Sequence, residues 1–179
     1  MRLLSALMAA LVGLFVTTGA ATAADLKNTV YLQLKDGQVV IELRPDLAPN
    51  TVARFKQLVQ QKFYDGLTFH RVIDGFMAQT GDPKGDGTGG SGQNLKAEFS
   101  QEPFLRGTLG MARAQDPDSA DSQWFICFQP SPFLNGQYTV FGRVVSGMEF
   151  VDNIKKGNPD DNGSVSDPDK IISMRLAAQ

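Results

Sequence analysis

The sequence is poor in the side chains that most often carry chemistry, since it holds one cysteine and one histidine among 179 residues. A single cysteine cannot form an internal disulfide, and Cys127 lies in the apolar run WFICF, which predicts a small buried hydrophobic residue. Zinc sites need three or four protein ligands, more than one histidine and one buried cysteine supply. Nucleophilic catalysis of the Ser-His-Asp or Cys-His type needs a histidine base, and His70 is the sole candidate. These absences disfavour a zinc enzyme and a hydrolase.

Positive charge is also scarce. The 17 Lys and Arg residues are outnumbered by 19 Asp and Glu, the net charge is −2, and the sequence contains no basic run. Proteins that bind nucleic acids rely on clustered positive charge to neutralise phosphates. The composition therefore predicts that the protein has no nucleic-acid partner.

The N-terminal segment has the pattern of a secretory signal peptide. Arg2 precedes an apolar run over residues 3–16, and small residues end in Ala21-Thr22-Ala23. We predict that residues 1–23 are a signal peptide cleaved after Ala23, and that residues 24–179 form one domain that is not bound to a membrane after cleavage. The alternative is an uncleaved anchor, although the apolar run is shorter than the roughly 20 residues that a spanning helix needs.

Eight short stretches have the alternation or apolar character of β-strands. They are residues 29–34, 39–43, the two arms of a hairpin within 69–79, 108–112, 123–128, 139–145 and 171–176. Two helices are predicted, at residues 49–61 and 148–155, each with its apolar residues on one face. Because strands do not alternate with helices, a parallel sheet is disfavoured. We predict a mostly β fold, a closed eight-stranded antiparallel β-barrel capped by two α-helices.

The predicted hairpin over residues 69–79 places a cation and an amide on an otherwise apolar ribbon. With a three-residue loop at residues 74–76, Arg71 lies opposite Gln79 and the two share a face, whereas a two-residue loop separates them. An arginine stays charged and offers five donors, which suits electrostatic work on an uncharged substrate. His70 precedes Arg71 in the strand and points to the other face, so we expect a packing residue with its hydrogen bonds satisfied.

Two polar segments match ligand motifs as strings. GDGTGG, within residues 81–92, fits the dinucleotide pattern GxGxxG, but no predicted helix follows it to receive a pyrophosphate. Residues 158–169 echo a calcium loop, with Asn in place of Asp at the first ligand position and Asp in place of Glu at the last. We interpret the first segment as a flexible loop beside a binding groove and the second as a solvated surface loop.

Six strings recur in one order along nearly the whole chain after residue 26, and together they resemble the cyclophilins, a family of peptidyl-prolyl cis-trans isomerases. They are FHRVIDGFMAQTGD (69–82), GTGG (87–90), GTLGMARA (107–114), DSQWFIC (121–127), FLNGQYTVFGRV (133–144) and GMEFVDNI (147–154). The resemblance implies an eight-stranded barrel with two capping helices and an isomerase that acts on proline-containing polypeptides without a cofactor. With the signal peptide, the chain looks like a periplasmic bacterial cyclophilin that speeds folding of exported proteins, and we expect a monomer.

The resemblance also assigns the site. Arg71 matches the catalytic arginine of the family, and Gln79 matches the neighbour that orients it, so both are predicted as catalytic residues. Ala112 and Arg113 fall where the family binds the substrate backbone, although the family more often has Asn at the second position. The predicted substrate-binding residues are Phe76, Met77, Ala112, Arg113, Phe125, Phe133, Leu134 and Tyr138.

Two positions depart from the family pattern. Phe133 stands where many cyclophilins have a tryptophan that helps to bind cyclosporin, so the resemblance implies weakened affinity for that drug. Tyr138 stands where they have a histidine, and it still offers a hydroxyl group and an aromatic face. The alternative function is a proline-peptide binding or chaperone module with incidental catalysis, but a pure binder has no need of the Arg71–Gln79 pair.

Overall fold

The computed structural model describes residues 25–178, so the predicted signal peptide lies outside the described residues. Eight antiparallel strands form one sheet, in the order β3-β4-β6-β5-β7-β2-β1-β8. The strands are β1 (Thr29–Gln33), β2 (Gln38–Leu43), β3 (Arg71–Ile73), β4 (Met77–Thr80), β5 (Thr108–Met111), β6 (Trp124–Cys127), β7 (Val140–Ser146) and β8 (Ser173–Leu176). All eight predicted strands are therefore confirmed.

The sheet is an open half-barrel, so the prediction of a closed barrel was wrong. Strands β3 and β8 lie at opposite ends of the strand order and do not pair with each other. Within residues 25–178, the segments next to these two strands meet through irregular structure, which includes the isolated bridge between Thr68 and Lys170 and a 2.9 Å bond from the Phe69 N–H to the Asp169 carbonyl. The barrel does not close because β3 has three residues and its outer edge forms hydrogen bonds with residues 157–165 instead of with β8. One example is the 2.8 Å bond from the Val72 N–H to the Gly163 carbonyl.

Two α-helices pack against the sheet. Helix α1 (Pro49–Gln60) buries the predicted apolar face of Val52, Phe55, Leu58 and Val59. Helix α2 (Met148–Asp152) is shorter than the predicted residues 148–155. The chain leaves the helix there because the Lys155 N–H donates to the Asp169 carboxylate at 2.8 Å instead of to a helical carbonyl.

The apolar interior divides into two clusters. The larger one joins α1 to the sheet, where the Phe55 ring centroid lies 5.0 Å from that of Phe141 and 5.6 Å from that of Trp124. The smaller cluster contains Met77, Phe104, Phe125, Cys127, Leu134 and Val140. Cys127 is fully buried, as predicted, and burial raises the pKa of its thiol to about 12. Within residues 25–178 no helix has the length and apolar character needed to cross a membrane.

Candidate active site

The β3–β4 hairpin fixes the relative position of the predicted catalytic pair. Arg71 lies directly opposite Gln79, and Ile73 lies opposite Met77. The turn comprises residues 74–76, with Gly75 at φ 67°, and closes through a 3.0 Å bond from the Phe76 N–H to the Ile73 carbonyl. The three-residue loop, the alternative that places the guanidinium beside the amide, is thus the one observed.

The Arg71 guanidinium is held on two sides. Its Nη1 donates to Gln79 Oε1 at 3.1 Å, and on the other side Nε donates to the Asn162 carbonyl at 3.0 Å and Nη2 to Asn162 Oδ1 at 2.9 Å. Burial lowers the pKa of Arg71 from its usual value, and nearby Tyr138 opposes that shift. An arginine pKa starts so high that the group remains a cation at neutral pH.

Gln79 is oriented by a second amide. Arg71 can only donate, so Gln79 must present its oxygen to Arg71 and use its Nε2 as a donor on the far side. That donor meets Gln123 Oε1 at 2.9 Å, and Gln123 Nε2 in turn donates to the carbonyls of Gly87 at 3.0 Å and Gly89 at 2.8 Å. The glycine-rich segment therefore fixes the polarity of a hydrogen-bonded chain that ends at the Arg71 guanidinium.

A groove of about 830 Å³ opens beside the hairpin, and all ten predicted site residues line it. Its remaining lining residues are His70, Gly85, Asp86, Gly87, Gln137, Asp161, Asn162 and Ser164. A smaller pocket of about 340 Å³ adjoins it and shares Gln79, Gly87, Ala112 and Arg113. The groove is thus mixed in character, with a cation at its centre, apolar walls on one side and the glycine-rich loop on another.

The apolar wall is anchored in the smaller core cluster. Met77, Phe125 and Leu134 are buried, with 1%, 4% and 5% of their surfaces exposed. Phe125 packs on Phe104 at 5.8 Å between ring centroids, and a Cβ at Gly110 would lie 2.5 Å from the Phe125 ring. Only glycine fits at that position without displacing the aromatic wall.

The outer rim of this wall is more exposed. Phe133 is 61% exposed, and its ring centroid lies 5.1 Å from that of Phe76. Tyr138 meets Phe125 edge-on at 6.2 Å. Aromatic walls of this kind offer apolar faces to a small apolar group of a ligand.

Comparison with known proteins decides the family. Residues 29–176 match the family described as cyclophilin type peptidyl-prolyl cis-trans isomerase/CLD. The chain belongs to the cyclophilins. This cyclophilin is 60% identical over 170 residues to "Probable peptidyl-prolyl cis-trans isomerase" of Brucella suis biovar 1 (strain 1330), covering 88% of this chain and 87% of that one. It is 50% identical over 134 residues to "Peptidyl-prolyl cis-trans isomerase B" of Bacillus subtilis (strain 168), covering 73% and 93%.

Solved cyclophilins have the same fold. AquaCyp293 from Hirschia baltica is similar with a TM-score of 0.77 and 26% identity, over 87% of this chain and 76% of that one. A cyclophilin type peptidyl-prolyl cis-trans isomerase of Cryptosporidium parvum, crystallised in the presence of the dipeptide Ala-Pro, is similar with a TM-score of 0.76 and 29% identity, over 83% and 98%. This cyclophilin is accordingly a peptidyl-prolyl cis-trans isomerase, in agreement with the resemblance seen in its sequence.

Arg113 reaches the groove of this cyclophilin with its guanidinium already engaged. Nε and Nη2 donate to the Gln137 carbonyl at 3.2 and 3.0 Å, while Nη1 donates to the carbonyls of Ala114 and Gln115 at 2.9 and 3.1 Å. The guanidinium carbon also lies 4.6 Å from the centroid of the Tyr138 ring. Its observed contacts tie the segment after β5 to the Tyr138 wall, and its predicted contact with substrate backbone remains a prediction.

His70 is buried, as expected. The residue is 7% exposed and lines the groove beside Gly87. Within residues 25–178, neither ring nitrogen has a protein partner at hydrogen-bond geometry, so the expectation that its hydrogen bonds are satisfied remains a prediction. Burial lowers the pKa of His70 below its usual value, which keeps the imidazole neutral at pH 7.

One buried carboxylate, that of Asp82, holds the glycine-rich loop in place through hydrogen bonds. Asp82 is buried, and its carboxylate accepts from the backbone N–H groups of Lys84 at 2.8 Å, Asp86 at 3.1 Å and Gly87 at 2.6 Å. Burial alone would raise the pKa of Asp82, but hydrogen bonds from backbone N–H groups, including those of Lys84 and Gly87, outweigh this effect and lower the pKa. The glycine-rich loop is therefore held by hydrogen bonds and forms one wall of the groove, whereas the sequence predicted a flexible loop beside the groove.

The sequence did not indicate two residues that contact the predicted catalytic pair. Gln123 is the third residue of DSQWFIC, in which the apolar residues predict a buried strand and the amide carries no local sign of a contact. Asn162 lies in the segment interpreted as a solvated loop. Its contact with Arg71 spans 91 positions, which no local pattern indicates.

Proposed function

We propose that this cyclophilin isomerises X-Pro peptide bonds in exported proteins and so accelerates their folding, with Arg71 as the catalytic residue and Gln79 orienting it. The observation that carries the proposal is the Arg71 guanidinium, which is held by amide oxygens at the edge of an apolar pocket. The periplasm is the proposed location.

The reaction needs electrostatic help but no nucleophile. Amide resonance opposes rotation of a peptide bond with a barrier of about 18–20 kcal/mol, and an X-Pro bond turns over in tens to hundreds of seconds. Twisting the bond breaks that resonance and localises a lone pair on the prolyl nitrogen. A donor that meets this nitrogen or the adjacent carbonyl oxygen stabilises the twisted state more than the planar one, and this difference accelerates the reaction.

Arg71 is placed to supply such a donor. The guanidinium carries five N–H bonds, of which Gln79 and Asn162 occupy three. One N–H on each terminal nitrogen is left for a substrate among the described contacts. Because no covalent bond breaks, the proposed reaction uses neither a metal nor a cofactor.

The apolar wall supplies the second requirement, a fixed proline ring. Met77, Phe125 and Leu134 are buried and share one core cluster, and Phe76 packs against that cluster. We propose that these four side chains hold the ring while the preceding carbonyl rotates, and that Ala112, Arg113, Phe133 and Tyr138 contact the rest of the peptide. The Cryptosporidium parvum cyclophilin crystallised in the presence of Ala-Pro supports a proline-containing substrate.

Export rests on the sequence of residues 1–23. The charged start, the apolar run and the small residues before Ala24 support secretion and cleavage after Ala23. We propose that the cleaved protein is a monomer in the periplasm, where unfolded exported chains with X-Pro bonds in both isomers are its substrates.

Exchange spectroscopy of a short Ala-Pro peptide by NMR tests the isomerase activity. At a catalytic concentration of the protein, we expect exchange between the cis and trans proline signals to accelerate while the mass of the peptide stays unchanged. Peptide binding without acceleration would contradict the proposal and favour the proline-peptide binding module. Cleavage of the peptide would instead indicate a hydrolase.

A further inference from the structure

Asn162 accepts hydrogen bonds from both nitrogens on one edge of the Arg71 guanidinium, Nε and Nη2. Its backbone carbonyl accepts from Nε at 3.0 Å and its side-chain Oδ1 accepts from Nη2 at 2.9 Å, so one residue provides both acceptors. Paired acceptors on an arginine fork restrict the plane and direction of the guanidinium more than one bond does. Gln79 reaches only a single nitrogen, Nη1.

The backbone around Asn162 is fixed in place against β3. Asn162 has the left-handed conformation, with φ 49° and ψ 31°, and Gly163 follows it at φ 80°. The Val72 N–H donates to the Gly163 carbonyl at 2.8 Å, and the Gly157 N–H donates to the Val72 carbonyl at 2.8 Å. A Cβ on Gly163 would lie 2.5 Å from Cγ1 of Ile73, so the segment packs tightly on the strand that carries Arg71.

The acceptors on this edge are neutral. Four other arginines each form an ion pair with a carboxylate, at nitrogen–oxygen distances of 2.6–2.8 Å: Arg44, Arg106, Arg143 and Arg175. Within residues 25–178, Arg71 has no such ion pair, and amide or peptide oxygens take all three of its hydrogen bonds. A neutral acceptor orients the guanidinium without cancelling its charge, whereas a carboxylate would satisfy the cation before substrate arrives.

We infer that Asn162 is a positioning residue that sets the direction of the Arg71 guanidinium through neutral acceptors, so that its full charge is directed at the twisting X-Pro bond. The inference rests on the proposed function, because it assigns Arg71 the catalytic role. It also gives residues 157–165 a function in this cyclophilin: they cover the open edge of β3 and bring the second acceptor pair to the site.

Two substitutions separate position from charge. Asn162→Gly removes Oδ1 but keeps the backbone carbonyl and tolerates the positive φ. Asn162→Asp keeps the size and the acceptor and adds a negative charge on the Nε–Nη2 edge. Asn153→Asp is the matched control, since it makes the same chemical change at an exposed residue after α2 that is outside the groove lining.

The readout is NMR exchange at saturating protein, which reports the isomerisation rate of the bound Ala-Pro peptide and its dissociation constant separately. We expect the bound-state rate to fall about tenfold in Asn162→Asp and several-fold in Asn162→Gly, with the dissociation constant changed by less than about threefold. Asn153→Asp should match the wild type. A merely structural role would instead weaken binding and rate together.

Bound-state rates within twofold of the wild type in both Asn162 variants, with intact ¹H–¹⁵N spectra, would overturn the inference while leaving the proposed function standing. Failure of the wild type itself to accelerate exchange would overturn the proposed function, and the inference with it. The outcomes therefore distinguish a wrong role for Asn162 from a wrong function for the groove.

Discussion

At the scale of single residues, the most exposed part of the apolar wall is also where this chain departs from many cyclophilins. Phe133 is 61% exposed and packs on Phe76 at 5.1 Å. A phenylalanine offers the same kind of face as a tryptophan, but it lacks the indole N–H that can donate to a ligand. The proposed proline pocket uses the buried wall, so we expect proline binding to depend little on this difference.

We therefore expect the wild type to bind cyclosporin weakly, and the substitution Phe133→Trp to tighten that binding by about tenfold, the order expected for one added hydrogen bond. Titration calorimetry measures the dissociation constants. Phe99→Trp, at another exposed phenylalanine outside the groove lining, should leave the affinity unchanged. Equal affinities of the wild type and Phe133→Trp would contradict this account of the departure.

Single residues also show what a sequence can and cannot predict about a site. The pair of Arg71 and Gln79 was predictable, because a three-residue turn and the alternation of a strand place both on one face. Gln123 and Asn162 were not, because each meets the pair through tertiary contacts across 44 and 91 positions. Neutral amides in polar segments carry no pattern that marks them as ligands of an arginine.

At the scale of elements, the start of α1 depends on a distant acid. The N-cap residue Ala48 has no capping side chain, although Pro49-Asn50-Thr51 correctly indicated the start of the helix. Glu98 caps it instead: Oε1 accepts from the Asn50 N–H at 3.0 Å, and Oε2 accepts from the Thr51 N–H at 2.9 Å. Their side chains donate to the same carboxylate at 2.9 and 2.7 Å.

These bonds predict a pH-dependent contribution to stability. Burial alone would raise the pKa of Glu98, but the hydrogen bonds outweigh it and lower the pKa. A carboxylate with a lowered folded-state pKa stabilises the fold above its unfolded pKa of about 4.3, and this stabilisation is lost as the pH falls through the folded pKa.

Glu98→Ala should lower the free energy of unfolding by about 2 kcal/mol at pH 7, as expected for a lost helix cap, and the difference from the wild type should shrink below about pH 4. Glu98→Gln keeps one acceptor oxygen and should lose less at pH 7, and its difference from the wild type should also shrink below about pH 4, because the wild-type carboxyl is then protonated. Urea denaturation at pH 7 and pH 3.5 measures both. Identical stabilities of Glu98→Ala and the wild type at pH 7 would contradict the capping role.

The sequence predicted which helices and strands form more accurately than it predicted the residues at which they end. The strands and α1 followed from alternation and from one apolar face, because burial on one side imposes those periods. Helix α2 was predicted too long, since its last apolar residue, Ile154, is buried although it lies beyond the helix end at Asp152. The spacing of apolar residues indicates which residues are buried, and Ile154, in the loop after α2, is buried as well.

At the scale of the whole molecule, the number of strands and their antiparallel pairing were predictable, but closure of the barrel was not. Strand patterns show which segments can pair, whereas closure depends on the partner of the last free edge. In this fold residues 157–165 cover β3, so the sheet stays open and the covering segment brings Asn162 to Arg71. A segment interpreted from composition as a solvated loop thus completes both the sheet edge and the site.

The proposed release of the protein into the periplasm depends on cleavage of the predicted signal peptide, residues 1–23. If residues 1–23 are a cleaved signal peptide, intact mass measurement of the protein recovered from the periplasmic fraction of a Gram-negative host should correspond to a chain that begins at Ala24. A full-length chain that retains Met1 and sediments with membranes would contradict cleavage and favour the uncleaved anchor.

The most direct test of the central claim compares Arg71→Ala with the wild type at saturating protein, by NMR exchange of a bound Ala-Pro peptide. Arg143→Ala, which removes an exposed arginine paired with Glu42, serves as the control. The account predicts that Arg71→Ala lowers the bound-state isomerisation rate by about a hundredfold while the dissociation constant changes little, because the apolar wall still holds the proline ring. An unchanged rate in a folded Arg71→Ala variant would contradict the catalytic role of the guanidinium and the mechanism built on it.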